Sequence, residues 1–299
     1  MLEVCLAGTG GMMPLPQRYL TTLFVRNEGR SLLIDCGEGT QTALKSAAVK
    51  ISSIETLLIT HFHADHISGL PGFLLTLGNE ADTRQLHIYG PCGLSRVVSA
   101  LRVIVPELNY PIICHEIDES LTPFEVAGLK VTPFKAEHGQ MPCLGYMLYK
   151  KRQGKFDRER AIKNQIPIKY WAALQNGISV DKYTPEDVLG SERRGLKILY
   201  STDTRPVEAI SRLGSDADLM VLEGMFGEEE KQARALKTNH MTMMEAAEIA
   251  KKANAKRLWL THYSPATPHP EEYEEKIKQI FDCTVMSRDG QSETLRFED

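Results

Sequence analysis

Short apolar runs recur along the chain and alternate with stretches whose apolar residues return every three or four positions. The clearest runs are residues 32–34 (Leu-Leu-Ile), 56–60 (Thr-Leu-Leu-Ile-Thr), 198–200 (Ile-Leu-Tyr) and 258–261 (Leu-Trp-Leu-Thr). Short β-rich runs separated by helical patterns are typical of an α/β protein built in layers. Because the alternation occurs in both halves of the chain, the pattern excludes a helical bundle and a β-sandwich without helices.

Between the two halves, from about residue 150 to residue 195, the alternation lapses into polar and charged sequence, which predicts an insertion. Residues 150–171 carry eight Lys and Arg residues against two acidic ones, a local balance of +6. Two interpretations stay open: a solvated surface segment, or a protruding basic arm that contacts phosphate groups. Tyr170 and Trp171 would then either stack on nucleotide bases or pack the base of the arm.

The composition of the chain narrows its class without revealing its function. A chain of 299 residues can bury a sizeable core. Its net charge of −4 does not show the excess of basic residues that many nucleic-acid-binding proteins have. Any RNA site must therefore be a local patch. No apolar run reaches the ~20 residues that cross a bilayer, and the first residues do not resemble a signal peptide, so we expect a cytoplasmic protein. The six cysteines show no Cys-x-x-Cys spacing, which argues against a thiolate zinc site.

The densest cluster of potential metal ligands lies in residues 61–66, His-Phe-His-Ala-Asp-His, directly after a predicted strand. Three imidazoles and a carboxylate within six residues are rarely accidental. Imidazole nitrogen and carboxylate oxygen are ligands that zinc and its neighbours accept, and a turn leaving a strand can direct alternate side chains at different ions. We therefore predict that His61, His63, Asp65 and His66 bind metal.

Four further predicted strands end at a polar side chain: His138, Asp203, Glu223 and His262. Open α/β sheets form their sites beyond the carboxyl ends of strands, so these side chains are expected to converge. With the first cluster, His138, Asp203 and His262 complete a set of seven ligands. Seven ligands are too many for one tetrahedral zinc and suit two metal ions that share a carboxylate and a water.

The pattern His61-x-His63-x-Asp65-His66, followed by His138, Asp203 and His262, resembles the metallo-β-lactamase superfamily. The resemblance implies a four-layer αββα sandwich with two Zn²⁺ ions per chain at the mouth between the sheets. It also implies one ion on His61, His63 and His138, a second on Asp65, His66 and His262, and Asp203 as the bridge between them. The same ligand types also suit Mn²⁺, Fe²⁺ or Co²⁺.

Further motifs are similar to those of the ribonuclease Z family, which trims the 3′ trailer from precursor tRNA. They are residues 6–10 (Leu-Ala-Gly-Thr-Gly), 33–41 (Leu-Ile-Asp-Cys-Gly-Glu-Gly-Thr-Gln), 201–206 (Ser-Thr-Asp-Thr-Arg-Pro) and 240–242 (His-Met-Thr). Nearly the whole chain is covered. The resemblance implies a zinc-dependent endoribonuclease, precursor tRNA as its partner, no association with a membrane, and a homodimer. It also implies one domain over residues 1–299, with the segment at about 150–195 as an inserted arm.

Three segments depart from the family pattern. The family motif His-Glu-Ala-Thr is replaced by Leu222-Glu223-Gly224-Met225. The family motif Pro-x-Lys-x-Arg-Asn is replaced by Pro-Leu-Pro-Gln-Arg-Tyr at residues 14–19. The Gly-Pro-rich arm of the family is represented by residues 166–171. Two other functions therefore stay open. One is a dizinc phosphodiesterase that acts on small or cyclic phosphodiesters. The other is a non-catalytic relative that binds RNA or stores metal.

Beyond the metal ligands, three residues have predicted catalytic roles. Asp65 would orient the attacking water or take its proton, and His240 would protonate the leaving oxygen. Glu223 would accept a hydrogen bond from His240 and keep it protonated. His240 precedes a predicted helix start, since Thr242 and Glu245 have capping-box spacing. The alternative for His240 is an ordinary surface histidine, and Asp35 and Glu38 either support metal-binding histidines or simply form a turn.

Overall fold

The computed structural model describes residues 1–80, 85–227 and 231–298. The chain divides into two compact units. The first comprises residues 1–149 and 197–296, and the second comprises residues 150–196 together with the C-terminal residues from Phe297. The segment predicted as an insertion therefore falls in the second unit, and the units are described separately.

One seven-stranded sheet carries the N-terminal half of the first unit. Its strands are β1 (Leu2–Gly8), β2 (Thr22–Asn27), β3 (Arg30–Ile34), β4 (Ile54–Leu58), β5 (Leu86–Pro91), β6 (Ile112–Ile117) and β14 (Gln291–Leu295). They lie in the order β14-β1-β2-β3-β4-β5-β6. The pairs from β14 to β3 are antiparallel and those from β3 to β6 are parallel. Since β3 and β4 run parallel, the segments that follow them, with Asp35 and His61, leave the sheet at the same edge.

A second seven-stranded sheet carries the C-terminal half. Its strands are β7 (Phe124–Val126), β8 (Leu129–Ala136), β9 (Cys143–Arg152), β10 (Arg193–Ser201), β11 (Leu219–Glu223), β12 (Leu258–Thr261) and β13 (Thr284–Met286), in the order β13-β12-β11-β10-β9-β8-β7. Strands β10 to β13 are parallel. Asp203, Glu223 and His262 therefore stand at one edge of this sheet, as the strand-end argument predicts.

Ten α-helices are described. They are α1 (Thr40–Ser46), α2 (Ala64–Ile67), α3 (Leu70–Asn79), α4 (Leu94–Leu101), α5 (Arg158–Lys163), α6 (Ile168–Gln175), α7 (Glu208–Leu213), α8 (Gln232–Thr238), α9 (Met243–Lys252) and α10 (Glu274–Ile280). Apolar residues of α1, α3 and α4 are buried with one face of the first sheet. Those of α7, α9 and α10 are buried with one face of the second. Successive strand residues point to opposite faces, so the other faces carry a further set of buried residues, including Leu32, Tyr146, Tyr200 and Trp259.

The predicted α/β layering is confirmed by two mixed sheets with helices packed on them. The four apolar runs are β3, β4, β10 and β12, with Thr60 two residues beyond the end of β4. The predicted capping box is also confirmed: Thr242 accepts from the Glu245 N–H at 3.2 Å, and α9 begins at Met243. No helix among the described residues is long and apolar enough to cross a membrane.

The second unit has a small apolar cluster of its own. It is formed by Ala161, Ile166, Leu174, Val188 and Leu189, with Phe156, Tyr170, Trp171 and Tyr183 packed against it. Trp171 Nε1 donates a hydrogen bond to the carbonyl of Ile166 at 3.0 Å. Of the two roles predicted for the aromatic pair, the structure shows packing within the unit.

Some basic residues of this unit make contacts within it. Lys150 is buried, Lys151 lies 3.3 Å from Glu192, and Arg160 donates to the carbonyl of Leu189 at 2.9 Å. Lys151 and Arg160 are nevertheless exposed, as are four others: Lys155, Arg158, Lys163 and Lys169. Part of the predicted positive charge therefore takes part in contacts within the unit, while most of these basic side chains face solvent.

Candidate metal centre

The segment after β4 presents its ligands through a change of backbone conformation. The residues up to His63 are extended, with His63 at φ −66° and ψ 150°, and α2 begins at Ala64. Extended residues alternate in direction, which separates His61 and His63 from the intervening Phe62, whereas the helical turn brings Asp65 and His66 together. The imidazoles of His61 and His66 are fully buried.

The six other predicted ligands converge on Asp203, whose two carboxylate oxygens face different groups. Near Oδ2 lie His138 Nε2 at 3.7 Å and His61 Nε2 at 3.8 Å, and His63 Nδ1 lies 3.2 Å from His138 Nε2. Near Oδ1 lie two other nitrogens, His262 Nε2 at 3.0 Å and His66 Nε2 at 3.1 Å.

Asp65 completes the second group. Its Oδ2 lies 3.4 Å from His262 Nε2 and 3.6 Å from His66 Nε2. The structure thus brings all seven side chains into two groups that could each hold an ion: His61, His63 and His138 with Asp203, and Asp65, His66 and His262 with Asp203. The division matches the one that the superfamily resemblance implies.

The spacing and chemistry of these atoms fit bound metal. Zinc lies about 2.0–2.1 Å from imidazole nitrogen, so adjacent ligand atoms around a tetrahedral ion stand roughly 3.3 Å apart. The observed separations of 3.0–3.8 Å bracket that value. Among the described residues, His61 Nε2 is buried with no hydrogen-bond partner, an arrangement that is costly without a ligand. Both groups therefore suit divalent cations.

The protonation states of the side chains in the site favour the binding of cations. Burial alone would raise the pKa of Asp203, but the imidazoles of His262, His66 and His61 hold the pKa well below its usual range. Asp203 is therefore ionised at neutral pH. Burial lowers the pKa of His61, so its imidazole is neutral and keeps a lone pair for a metal.

Buried partners fix the orientation of the ligand imidazoles. His66 Nδ1 donates to Asp35 Oδ2 at 2.8 Å, while the Thr60 N–H donates to Asp35 Oδ1 at 2.8 Å. His138 Nδ1 donates to the carbonyl of Asn239 at 3.1 Å. Each bond leaves the Nε2 lone pair free to face Asp203, which is how supporting groups tune metal ligands. Asp35 thus contacts His66, a predicted metal ligand, whereas Glu38 is exposed.

Replacing Asp35 by alanine is expected to weaken metal binding by about 10–100-fold, the usual effect of losing such a supporting carboxylate. Equilibrium dialysis against a zinc buffer would measure the change. Glu38→Ala is the matched control, because Glu38 lies in the same turn but is exposed. Equal affinities in the two variants would contradict the role of Asp35.

Three residues of the site adopt left-handed backbone conformations. They are Asp35 (φ 64°), Asp203 (φ 46°) and His262 (φ 56°). Positive φ is unfavourable for residues other than glycine, and such strain clusters at functional sites. Sequence patterns carry no signal for it, so this feature was not predicted.

The loop after β1 also contacts the metal centre in a way that was not predicted. The Met12 N–H donates to Asp65 Oδ2 at 2.7 Å. A Cβ atom on Gly11 would come within 2.6 Å of the His262 ring, so only glycine fits there. The Gly10-Gly11 pair is the sequence feature that could have indicated this close approach of the loop to His262.

His240 and Glu223 form a buried pair beside the ligands. His240 Nδ1 donates to Glu223 Oε2 at 2.9 Å, and Glu223 Oε1 accepts the Thr204 N–H at 2.6 Å. His240 lies close to the ligands, with its Nδ1 4.0 Å from Asp203 Oδ2. Although burial opposes protonation, the carboxylate of Glu223 raises the pKa of His240 to about 9. The imidazole is therefore a proton donor at neutral pH.

Comparison with known proteins identifies the family. A curated ribonuclease Z of Agathobacter rectalis is 47% identical over 303 residues, and the match covers 100% of both chains. The chain belongs to the ribonuclease Z family. A second ribonuclease Z, from Lachnoclostridium phytofermentans, is 47% identical over 302 residues and is matched over 99% of its length. The family resemblance seen in the sequence motifs is confirmed.

A solved tRNase Z structure resembles the chain over its whole length, and two family models match parts of it. The crystal structure of human tRNase Z, short form, superposes with a TM-score of 0.72 at 25% identity, covering 99% of this chain and 100% of that one. A profile described as Beta-lactamase superfamily domain matches residues 159–263, and one described as Anti-Pycsar protein Apyc1 matches residues 2–151. The predicted metallo-β-lactamase fold is thereby confirmed for this ribonuclease Z relative.

Proposed function

We propose that the chain is an endoribonuclease that hydrolyses a phosphodiester on the 3′ side of precursor tRNA and removes the 3′ trailer. The observation that carries this proposal is the convergence of seven ligands and the His240–Glu223 pair in one site. Full-length relatives named ribonuclease Z and the likeness to human tRNase Z support tRNA as the substrate. We expect the reaction in the cytoplasm.

Two Zn²⁺ ions per chain are proposed as the cofactors. His61, His63 and His138 would hold one ion, Asp65, His66 and His262 the other, and Asp203 would bridge the two. When bound, the ion pair activates a water molecule and stabilises negative charge on a phosphate oxygen. Because the ligands are nitrogen and oxygen atoms, Mn²⁺, Fe²⁺ or Co²⁺ could replace zinc. Activity measured after reconstitution with each ion separately would identify the metals that support the reaction.

The remaining chemistry is assigned to side chains. Asp65 orients the attacking water and takes its proton, and the water oxygen bonds to phosphorus as the bond from phosphorus to the 3′ oxygen breaks. His240 gives its Nε2 proton to that departing oxygen, because Nδ1 is engaged with Glu223. The products are a tRNA with a 3′ hydroxyl and a trailer with a 5′ phosphate.

The proposed function is tested by incubating purified, zinc-loaded protein with a precursor tRNA that carries a 3′ trailer and mapping the cut. A single cut at the trailer junction is expected. Hydrolysis of small or cyclic phosphodiesters without any cleavage of the precursor would overturn tRNA as the substrate in favour of the small-ester phosphodiesterase. Hydrolysis of neither substrate would leave a non-catalytic relative.

We propose that the exposed basic residues of the second unit bind RNA. Changing Lys155, Arg158 and Lys163 to alanine should weaken binding of precursor tRNA and flatten the slope of log K against log salt by up to about three units. Arg160 is kept, because its guanidinium binds the carbonyl of Leu189. Fluorescence anisotropy at several salt concentrations measures both quantities.

The loss should appear in KM for precursor tRNA more than in kcat, since contacts that take no part in the chemical step stabilise the bound substrate and the transition state about equally. Turnover of a small chromogenic diester is the internal control and should be unchanged. A control triple variant at Lys251, Lys252 and Lys278, which lie on α9 and α10 of the first unit, removes the same charge elsewhere. Unaltered affinity and salt dependence in the arm variant would make the segment a solvated insertion only.

The family resemblance also implies a homodimer, which we propose as the working assembly. Sedimentation of the purified protein over a range of concentrations measures the mass of the particle. A mass of one chain at all concentrations would contradict the dimer.

A further inference from the structure

The backbone around His240 is held by groups from three different elements. The His240 N–H donates to the carbonyl of Ala235 at 2.9 Å, within the C-terminal turn of α8. The carbonyl of Asn239 accepts from His138, and the carbonyl of His240 accepts from Arg205 Nη1. Asn239 itself is left-handed, at φ 57°, where α8 ends. The position of the imidazole therefore depends on contacts to the backbone as well as on the Glu223 carboxylate.

Arg205 is well suited to hold this carbonyl. It follows Asp203 by two residues, and its own N–H donates to the carbonyl of Glu137 at 3.0 Å. Its guanidinium pairs with both carboxylate oxygens of Glu245, through Nη2 to Oε1 and through Nη1 to Oε2, the latter at 3.0 Å. The side chains of Arg205 and Glu245 are only 13% and 15% exposed. Two parallel bonds to a shielded carboxylate fix a guanidinium more firmly than a single bond would.

Glu245 has two roles at once. Its Oε2 accepts the Thr242 N–H at 2.9 Å, which completes the capping box of α9, and its carboxylate orients Arg205. A capping box needs only a Glu or Gln at this position, so the cap alone does not require the negative charge. The charge is required by the guanidinium.

We propose that Arg205 and Glu245 form a clamp that positions His240 for proton donation to the leaving oxygen, with Arg205 as a positioning residue. The inference rests on the proposed hydrolysis and adds two residues to its machinery. Neither side chain touches the substrate in this role. The clamp acts through the carbonyl of His240, while Glu223 acts through the ring, so the imidazole is held at both ends.

The clamp also connects the proton donor to the metal centre. His138, a proposed metal ligand, donates to the carbonyl of Asn239, the residue directly before His240. The contact from His138 holds the segment at Asn239 and does not involve Arg205, so the metal ligands are expected to keep their places without a second contact. Arg205 supplies that second contact one peptide further along.

The test uses the leaving-group dependence of hydrolysis, which a purely structural role would not change. Arg205→Ala is expected to lower kcat on a diester with a poor, alkoxide leaving group by ~10–100-fold, since a shift of about 1 Å in a reacting group can cost about that much. On a nitrophenyl diester the loss should be much smaller, because nitrophenolate departs with little need of a proton. KM should change little on either substrate.

Three further variants keep the test decisive. Glu245→Gln can keep the capping hydrogen bonds of α9 but removes the charge that orients Arg205, so it should reproduce the leaving-group dependence of Arg205→Ala. Arg205→Lys should recover part of the activity, because an ammonium can reach the carbonyl but cannot form the paired bonds. Arg30→Ala is the matched control: it breaks the Arg30–Glu55 ion pair (2.7 Å) at the end of β3 away from Asp35, and turnover should be unchanged.

The double variant Arg205→Ala/Glu245→Gln should lose no more than either single variant, since coupled residues are not additive. An equal loss on good and poor leaving groups, a loss of bound metal, or full activity in Glu245→Gln would each overturn the clamp. Small diesters serve as substrates throughout. A failure of the clamp is therefore distinguishable from a failure of tRNA as the substrate, which only the cleavage of precursor tRNA tests.

Discussion

Replacing Asp203 by alanine is expected to abolish hydrolysis of every substrate and to reduce the metal content of the protein. The carboxylate offers one oxygen to each group of ligands, with nitrogens at 3.0–3.8 Å, so both ions lose a ligand together. Metal content is measured by mass spectrometry of the purified protein, and turnover on both precursor tRNA and a small diester. Two bound ions per chain with full turnover would rule out the bridging role.

A second variant separates chemistry from backbone strain in this experiment. Asp203 is left-handed, and alanine there is strained by roughly 1–2 kcal/mol. Asparagine tolerates this conformation, so Asp203→Asn removes the charge and keeps the backbone. We expect the asparagine variant to lose activity as completely as the alanine variant. Asp282→Ala, at an exposed position, is the control for the loss of an acidic residue.

Replacing His240 by alanine is expected to leave the metals bound and to slow the chemical step by ~10²–10⁴-fold, the usual contribution of a general acid. The loss should be largest for precursor tRNA, whose leaving oxygen needs a proton, and smallest for a nitrophenyl diester. Single-turnover rates on both substrates measure the difference. An equal loss on the two substrates would indicate a structural role.

The pH dependence follows from the same residue. Glu223 raises the pKa of His240 to about 9, so the protonated donor predominates at neutral pH and is lost as the pH rises through that value. Cations bound nearby would lower the pKa, so the fall in rate on precursor tRNA should come at or below about pH 9. In His240→Ala this basic limb should disappear, which a pH–rate profile of both proteins would show.

The convergence of the predicted ligands could be foreseen because strand ends carry a strong sequence signal. A run such as residues 258–261 predicts a strand, and the polar residue that follows it must lie at the sheet edge with the others. For Asp35 the sequence left two interpretations open, support of a metal-binding histidine or a simple turn. An acidic residue beside glycines is equally common in both. Only the structure shows the Asp35 carboxylate 2.8 Å from the imidazole of His66.

Contacts that use the backbone could not be predicted. The carbonyls of Asn239 and His240 accept from His138 and Arg205, yet every residue has a carbonyl, so no residue type marks the acceptor. The hydrogen bond from the Met12 N–H to Asp65 could not be predicted for the same reason, because nearly every residue has a backbone N–H. Charge counting also has limits: Arg160 belongs to the predicted basic segment but its guanidinium donates to the carbonyl of Leu189. Composition cannot show which basic side chains make such contacts and which make none.

The order of the ligands along the chain has a consequence for synthesis of the protein. The first of the proposed ligands is His61 and the last is His262, and Asp203, which both groups share, comes late. A nascent chain that has emerged from the ribosome only through β6 contains His61, His63, Asp65 and His66 without the carboxylate of Asp203. We expect these four residues alone to bind a cation weakly, so that stable loading waits until nearly all of the chain has been made. Metal bound by the complete set then stabilises the folded chain, by about 4 kcal/mol when free metal is a thousandfold above its dissociation constant. A chain truncated before His262 forgoes that stabilisation and is left as a substrate for proteolysis.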